Sequence, residues 1–134
     1  MENGLLLFAH GARDPRWALP FEDVARRVRE REPGVVVELS FLEFMAPTLR
    51  EGGQRLADAG CTQVDVVPLF LGAGGHVRKD LPELLEQLAE AYPQVQWRLQ
   101  KAIGEVDSVV EAMALAAVAM TKEAPTAAQP LQVK

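Results

Sequence analysis

The chain has little cysteine, few aromatic residues and no excess of positive charge. Its single cysteine, Cys61, excludes an internal disulfide and a cysteine-built zinc or iron–sulfur site within one chain, and fits a reducing compartment. A net charge of -5 argues against nucleic-acid binding driven by phosphate attraction. No apolar run is long enough to cross a bilayer, and no positively charged leader with a cleavage signature is present. We therefore expect a cytoplasmic protein that binds neither nucleic acid nor membrane.

What the sequence does contain is the composition of a globular protein. Hydrophobic residues make up 49% and charged residues 25% of 134 positions, which is enough to bury the core of one domain. From Glu123 onward alanine, proline, threonine and glutamine dominate, as is typical of a frayed end. We predict a single domain over residues 1–122, followed by a flexible tail over residues 123–134.

Four short apolar stretches alternate with segments of helical periodicity, a pattern typical of βα units. Strands are predicted at residues 4–9, 35–42, 63–71 and 95–99. The first three are nearly continuous in apolar residues, as expected of strands covered on both faces. Right-handed crossovers then predict an α/β fold with an open, mainly parallel four-stranded sheet in the order 2-1-3-4 and helices on both faces.

Local signals mark where the predicted helices begin. Asp14 before a proline indicates a cap, Thr48 with Glu51 indicates a capping box, and Asp80 with Glu83 resembles one. The last helix carries apolar residues along one face, namely Val106, Val109, Val110, Met113, Ala117 and Met120.

Residues with metal-binding side chains follow three of the four predicted strands. His10 follows the first, Glu43 the second and His76 the third. The carboxyl ends of parallel strands form the crevice where ligands bind, so these side chains are expected to share one cleft. Two imidazoles and a carboxylate suit a divalent metal such as Co, Ni, Fe or Zn, and three protein ligands leave coordination positions open. The alternative is that both histidines are hydrogen-bonding surface residues and that Glu43 is a solvated loop acid.

Basic and glycine-rich segments surround the two histidines. Glycines between positions 72 and 75 let the backbone approach a flat ligand closely. Arg13 and Arg16 lie near the first histidine, and Arg78 and Lys79 near the second, which in an acidic protein indicates an anionic ligand. The alternative is ordinary surface charge at the start of a helix, although cations there oppose the helix dipole.

Three segments of the chain resemble the class II tetrapyrrole chelatases, most nearly the short sirohydrochlorin chelatases of the CbiX and SirB type. The segments are FAHGARDP at 8–15, FLEF with PTL at 41–49, and VVPLFL leading to GH and DLP at 66–82. They occur in the order that the family has. Together with an Ile-Gly step at 103–104, they extend the resemblance over about residues 4–110.

The resemblance implies a chelatase-like fold that inserts a divalent metal, usually cobalt, iron or nickel, into sirohydrochlorin in cobalamin or siroheme biosynthesis. The metal is then a substrate, and no permanent cofactor is expected. Both His10 and Glu43 are assigned catalytic roles, and these two residues together with His76 are assigned as metal ligands. The residues expected to bind the tetrapyrrole are Arg13, Met45, Ala46, Leu71, Gly72, Ala73, Gly74, Gly75 and Arg78.

The chain departs from the family pattern in two ways. Ala12 stands where a serine is common, which removes a hydroxyl from the site. Long members carry two such units in one chain, whereas this chain has one. The short form of the family forms a homodimer, so the resemblance implies a homodimer here.

Two other functions stay open: a non-catalytic tetrapyrrole or metal carrier that uses the same cleft, and a flavodoxin-like interaction domain with surface histidines.

Overall fold

A computed structural model of the chain describes residues 2–72 and 74–123, with the backbone alone at positions 75, 76 and 78. The predicted tail, apart from position 123, lies outside these residues. The strands are β1 (Asn3–Ala9), β2 (Val36–Phe41), β3 (Gln63–Pro68) and β4 (Gln96–Leu99). The α-helices are α1 (Leu19–Arg31), α2 (Leu49–Asp58), α3 (Gly75–Ala91) and α4 (Asp107–Met120), and short 3-10 helices span Pro15–Ala18 and Ile103–Glu105.

All four strands are parallel and lie in the order β2-β1-β3-β4, which confirms the predicted topology. In the central register, Leu7 lies between Leu39 of β2 and Val67 of β3. The third strand ends earlier than the predicted position 71. Leu69 still donates a backbone hydrogen bond to Phe8, but the chain then leaves the sheet and buries Phe70 in the core.

The central strand β1 separates two apolar layers because its side chains alternate between the faces of the sheet. Leu6 and Phe8 pack in the larger core, to which α2 and α3 contribute. Leu7 packs on the opposite face with Ala25 of α1. Helices therefore cover both faces of the sheet, as the near-continuous apolar strands predict.

Two of the three predicted helix starts are confirmed. The Asp14 carboxylate accepts a hydrogen bond from a backbone N–H of the first 3-10 turn, and Thr48 and Glu51 form a reciprocal capping box at α2. The third prediction is wrong, because α3 begins at Gly75 and places Asp80 inside the helix. Gly74 directly precedes the helix, so no separate cap is needed at position 80.

The last helix forms where the sequence predicts it, yet none of its residues is buried. It packs against the 3-10 turn before it rather than against the sheet. Five of its large apolar side chains are between 42% and 69% exposed, namely Val110, Met113, Leu115, Val118 and Met120, and Val109 is half-buried. Within the described ranges, no helix is both long enough and apolar enough to cross a membrane.

Helix α2 approaches β2 so closely that position 52 has no room for a side chain. A Cβ atom on Gly52 would lie 2.0 Å from the Ser40 hydroxyl oxygen. Ser40 is fully buried, and its hydroxyl has no hydrogen-bond partner among the described residues. The helix therefore rests on a serine that packs well but leaves its polar atom unsatisfied.

We expect Gly52→Ala to lower the free energy of unfolding by about 1–3 kcal/mol, because overpacking outweighs the better helix propensity of alanine. Ser40→Ala should be neutral or stabilising, since it removes an unsatisfied hydroxyl, and the double variant should recover most of the loss. Urea unfolding measures all three. Gly34→Ala is the matched control because a Cβ there meets no atom within 4 Å. A Gly52→Ala protein as stable as this control would contradict the packing argument.

Candidate functional site

His10 is the first residue after β1 and lies at the carboxyl edge of the sheet. Its ring packs against the edge of Phe70, with ring centroids 6.1 Å apart, and Phe70 in turn packs against Phe8. Phe8 and Phe70 are buried, whereas the His10 side chain is 50% exposed. One side of the imidazole therefore packs against the core, and the other side faces solvent.

The imidazole of His10 contacts the carboxylate of Glu43, which follows β2. His10 Nε2 and Glu43 Oε1 are 3.2 Å apart, and the Glu43 side chain is 48% exposed. The backbone holds the two residues together as well, because the N–H of Glu43 donates to the carbonyl of His10 at 3.1 Å. Two of the three predicted metal ligands are thus adjacent.

The separation of these two atoms suits a shared metal ion. Two ligand atoms that are each about 2.1 Å from one ion, at angles of about 90–109°, lie about 3.0–3.4 Å apart. Among the described side chains, no group of three or more His, Cys, Asp or Glu is arranged to hold a metal. The predicted third ligand, His76, is the second residue of α3, and its side chain lies outside the described part of the structure.

Gly11 allows the loop after β1 to pack directly on the backbone of Glu43. Its φ is +95°, a conformation that residues with a Cβ rarely adopt. A Cβ at this position would lie 1.9 Å from the carbonyl oxygen of Glu43. Because that contact is with backbone, no change of side-chain rotamer relieves it.

A cavity of about 250 Å³ opens beside the His10–Glu43 pair. Its other walls are Leu42 and one face of α3, formed by Val77, Asp80, Leu81 and Leu84. Asp80 is the residue that sequence reasoning missed, since it was assigned to a helix cap. The signal that identifies it is its spacing, because positions 77, 80, 81 and 84 share the inward face of a helix and only Asp80 among them is charged.

The structure separates the two arginines that follow His10. Arg16 forms a two-point ion pair with Asp14, which lowers the pKa of the Asp14 carboxyl and raises the pKa of the Arg16 guanidinium. Arg13 instead lies over the ring of Phe44, with its guanidinium carbon 4.5 Å from the ring centroid. Arg16 is thus engaged locally, whereas Arg13 stacks on the residue that directly follows Glu43.

The remaining residues expected to bind the tetrapyrrole are spread over three places. Met45 packs in a small cluster with Ala9, Ala18 and Phe41, and Ala46 lines a separate cavity between α1 and β2; neither lines the cavity beside His10. Leu71, Gly72 and Gly74 are exposed in the turn between β3 and α3. Gly75 begins α3. Ala73 and the side chain of Arg78 lie outside what the structure describes.

Comparisons with known proteins agree with this topology and with a half-exposed imidazole and carboxylate at the sheet edge. The sequence profile of the CbiX family matches residues 4–118. The chain belongs to the CbiX family.

It is 35% identical over 81 residues to the sirohydrochlorin cobaltochelatase of Methanococcus maripaludis, covering 60% of this chain and 56% of that protein. It is 31% identical over 113 residues to the sirohydrochlorin ferrochelatase of Bacillus subtilis, covering 84% of this chain and 43% of that protein.

Solved structures of the family share the fold. The putative cobalamin biosynthesis CbiX protein of Marinobacter aquaeolei superimposes with a TM-score of 0.79 at 32% identity, covering 90% of this chain and 98% of that one. SirB from Bacillus subtilis, solved with Fe3+, gives a TM-score of 0.74 at 30% identity, covering 86% of this chain and 46% of that one. The chain thus spans about half the length of the curated relatives it matches.

We predict that Gly11→Ala disrupts the contact between the two loops of the site. The variant should lose about 1–3 kcal/mol of unfolding free energy, because alanine is strained at this φ and its Cβ clashes with the backbone of Glu43. The NMR signals of His10 and Glu43 should also shift from their wild-type positions. Gly60→Ala is the matched control, because its φ is +89° but a Cβ there meets nothing within 4 Å. Equal losses of unfolding free energy in the two variants would show that the contact with Glu43 contributes nothing to stability.

Proposed function

We propose that this protein inserts a divalent metal ion, cobalt, iron or nickel, into sirohydrochlorin. The observation that carries the proposal is the His10–Glu43 pair, 3.2 Å apart and half-exposed at the carboxyl edge of the sheet in a CbiX-family chain. Two curated relatives are named for this reaction, one with cobalt and one with iron. A structure of SirB was solved in complex with cobalt. The metal is a substrate in this proposal, and the chain needs no permanent cofactor.

The ligand types suit the metals concerned. A neutral imidazole and a carboxylate bind borderline divalent ions without selecting strongly among them, so supply in the cell decides which one is used. In our proposal His10 and Glu43 hold the ion from one side, with His76 as the third ligand. Few protein ligands leave positions open, through which the ion passes to the ring nitrogens.

Metal insertion must also remove two protons from the macrocycle. One divalent ion replaces two pyrrole N–H protons, so the net charge of the macrocycle is unchanged only when both protons leave. A metal-bound Nε2 cannot accept a proton, so His10 acts first as ligand and, once the ion has moved to the ring, as base. Glu43 lies within hydrogen-bond distance of His10 and passes the two protons, one after the other, from His10 to solvent, to which its side chain is open.

The setting that we propose is the cytoplasm, in a pathway to cobalamin or siroheme. Cys61 is buried as a free thiol in the core, and burial raises its pKa. A thiol of this kind packs as a small apolar side chain and fits a reducing compartment.

Removing any one of the three proposed ligands should nearly abolish turnover without unfolding the protein. We expect His10→Ala, Glu43→Gln and His76→Ala each to lower kcat by at least about 100-fold, since both metal delivery and proton removal suffer. The measurement is anaerobic metal insertion followed by absorbance, with cobalt, iron and nickel in parallel. Glu90→Gln is the matched control, because Glu90 is an exposed acid near the far end of α3.

Two results would contradict the proposal. Near-wild-type rates in the histidine variants would remove these residues from the reaction. Stoichiometric binding of sirohydrochlorin and metal by the wild-type protein, without acceleration over the spontaneous reaction, would identify a carrier instead.

We further propose that the working unit is a homodimer in which α4 packs against a second copy of the chain. No residue of α4 is buried in the single chain and all but Val109 are exposed, and its only charged residues, Asp107 and Glu111, lie in its first half. An apolar helix of this kind is unfavourable in water without a partner. The chain covers 46% of SirB but 98% of the Marinobacter protein.

The dimer proposal predicts a solution mass of twice the 14.7 kDa of the chain. Leu115→Glu combined with Val118→Glu should convert the dimer into a monomer, because burying these charges without a partner is costly. Sedimentation velocity measures both states. Leu19→Glu, at a similarly exposed apolar position on α1, is the control and should remain dimeric. A wild-type monomer at micromolar concentration would end the proposal.

A further inference from the structure

Phe44 is an exposed aromatic residue in an unfavourable backbone conformation. Its side chain is 56% exposed, and its φ is +65°, the left-handed region that bulky residues rarely occupy. Burial of this ring therefore contributes little to the stability of the fold, and the backbone conformation at its position is unfavourable. Strain of this kind points to a functional role for the residue that carries it.

The ring of Phe44 supports the guanidinium of Arg13. The guanidinium carbon lies 4.5 Å from the ring centroid, within the range of a cation–π contact. Within the described part of the chain, no carboxylate forms an ion pair with Arg13, whereas Arg16 is paired with Asp14. A guanidinium that stacks on a ring keeps its in-plane N–H groups available to grip a carboxylate at two points.

The Arg13–Phe44 contact is fixed relative to the metal-binding pair. Phe44 directly follows Glu43, and Arg13 lies three positions after His10. The two loops are joined by the hydrogen bond from the Glu43 N–H to the His10 carbonyl and by the packing of Gly11 on Glu43. A carboxylate bound by Arg13 is therefore held at a set distance from His10 and Glu43.

We propose that Phe44 is a substrate-positioning residue. It holds Arg13 so that the guanidinium binds a carboxylate on the rim of the macrocycle. The inference rests on the proposed function for the identity of the macrocycle. It assigns a role to a residue that lies outside both the metal ligands and the cavity lining.

The test is the affinity of metal-free sirohydrochlorin, measured by absorbance titration in parallel with thermal unfolding. Phe44→Asn removes the ring but suits the backbone, since asparagine tolerates the left-handed region. We expect affinity to fall about three- to tenfold, the scale of one charge-assisted contact, while the melting temperature stays unchanged or rises. Phe44→Trp should retain wild-type affinity because it restores the cation–π contact.

A double-mutant cycle separates positioning from simple contact. Arg13→Ala should weaken binding by a similar factor, and the Arg13→Ala, Phe44→Asn double variant should be little weaker than Arg13→Ala alone, since the two side chains act as a unit. Arg31→Ala, at an exposed arginine at the end of α1, is the control and should bind as the wild type does.

Each outcome bears on the inference. Wild-type affinity in Phe44→Asn, or additive losses in the cycle, would overturn it. A fall in melting temperature that accompanies the lost affinity would assign Phe44 a structural role and overturn it too. A wild-type protein that binds the macrocycle but does not accelerate metal insertion would end the proposed function and leave this inference standing.

Discussion

The site depends on one backbone hydrogen bond, which the Glu43 N–H donates to the His10 carbonyl at 3.1 Å. Together with the bond from Leu42 to Ala9, it continues the pairing of β1 and β2 beyond the ends of the two strands. Gly11 makes this approach possible because it has no Cβ to strike the Glu43 carbonyl. The imidazole and the carboxylate are therefore positioned by the sheet rather than by flexible side chains, and such rigid support holds binding groups in a productive geometry.

This rigid support explains how the pair can be exposed without being disordered. Phe70 and Phe8 pack behind His10 in the core, while the front of the site is open. A cavity of about 250 Å³ lies below the usual range for ligand sites and is too small to enclose a macrocycle. Most of a ring bound here would lie over the surrounding surface, which is where Arg13 and Phe44 lie.

Helix α4 presents an apolar surface to solvent in the single chain. The matched region covers 46% of SirB, which is therefore the longer protein. Five of its large apolar side chains are more than two-fifths exposed in the described chain. Exposed apolar surface of this kind is typical of interaction sites, and it is the basis of the dimer that we propose.

The sequence by itself determined the strand order, the helices on both faces and the approach of His10 to Glu43. These features depend on local apolar periodicity and on the rule that parallel strands end at one edge, and both can be read from neighbouring residues. Only the tertiary structure decided that α4 is exposed, that Asp80 lies inside a helix and lines the cavity, and that Arg13 rests on Phe44. Those outcomes depend on how segments distant in sequence pack together and on a single backbone torsion at Phe44, neither of which leaves a periodic signal in the chain.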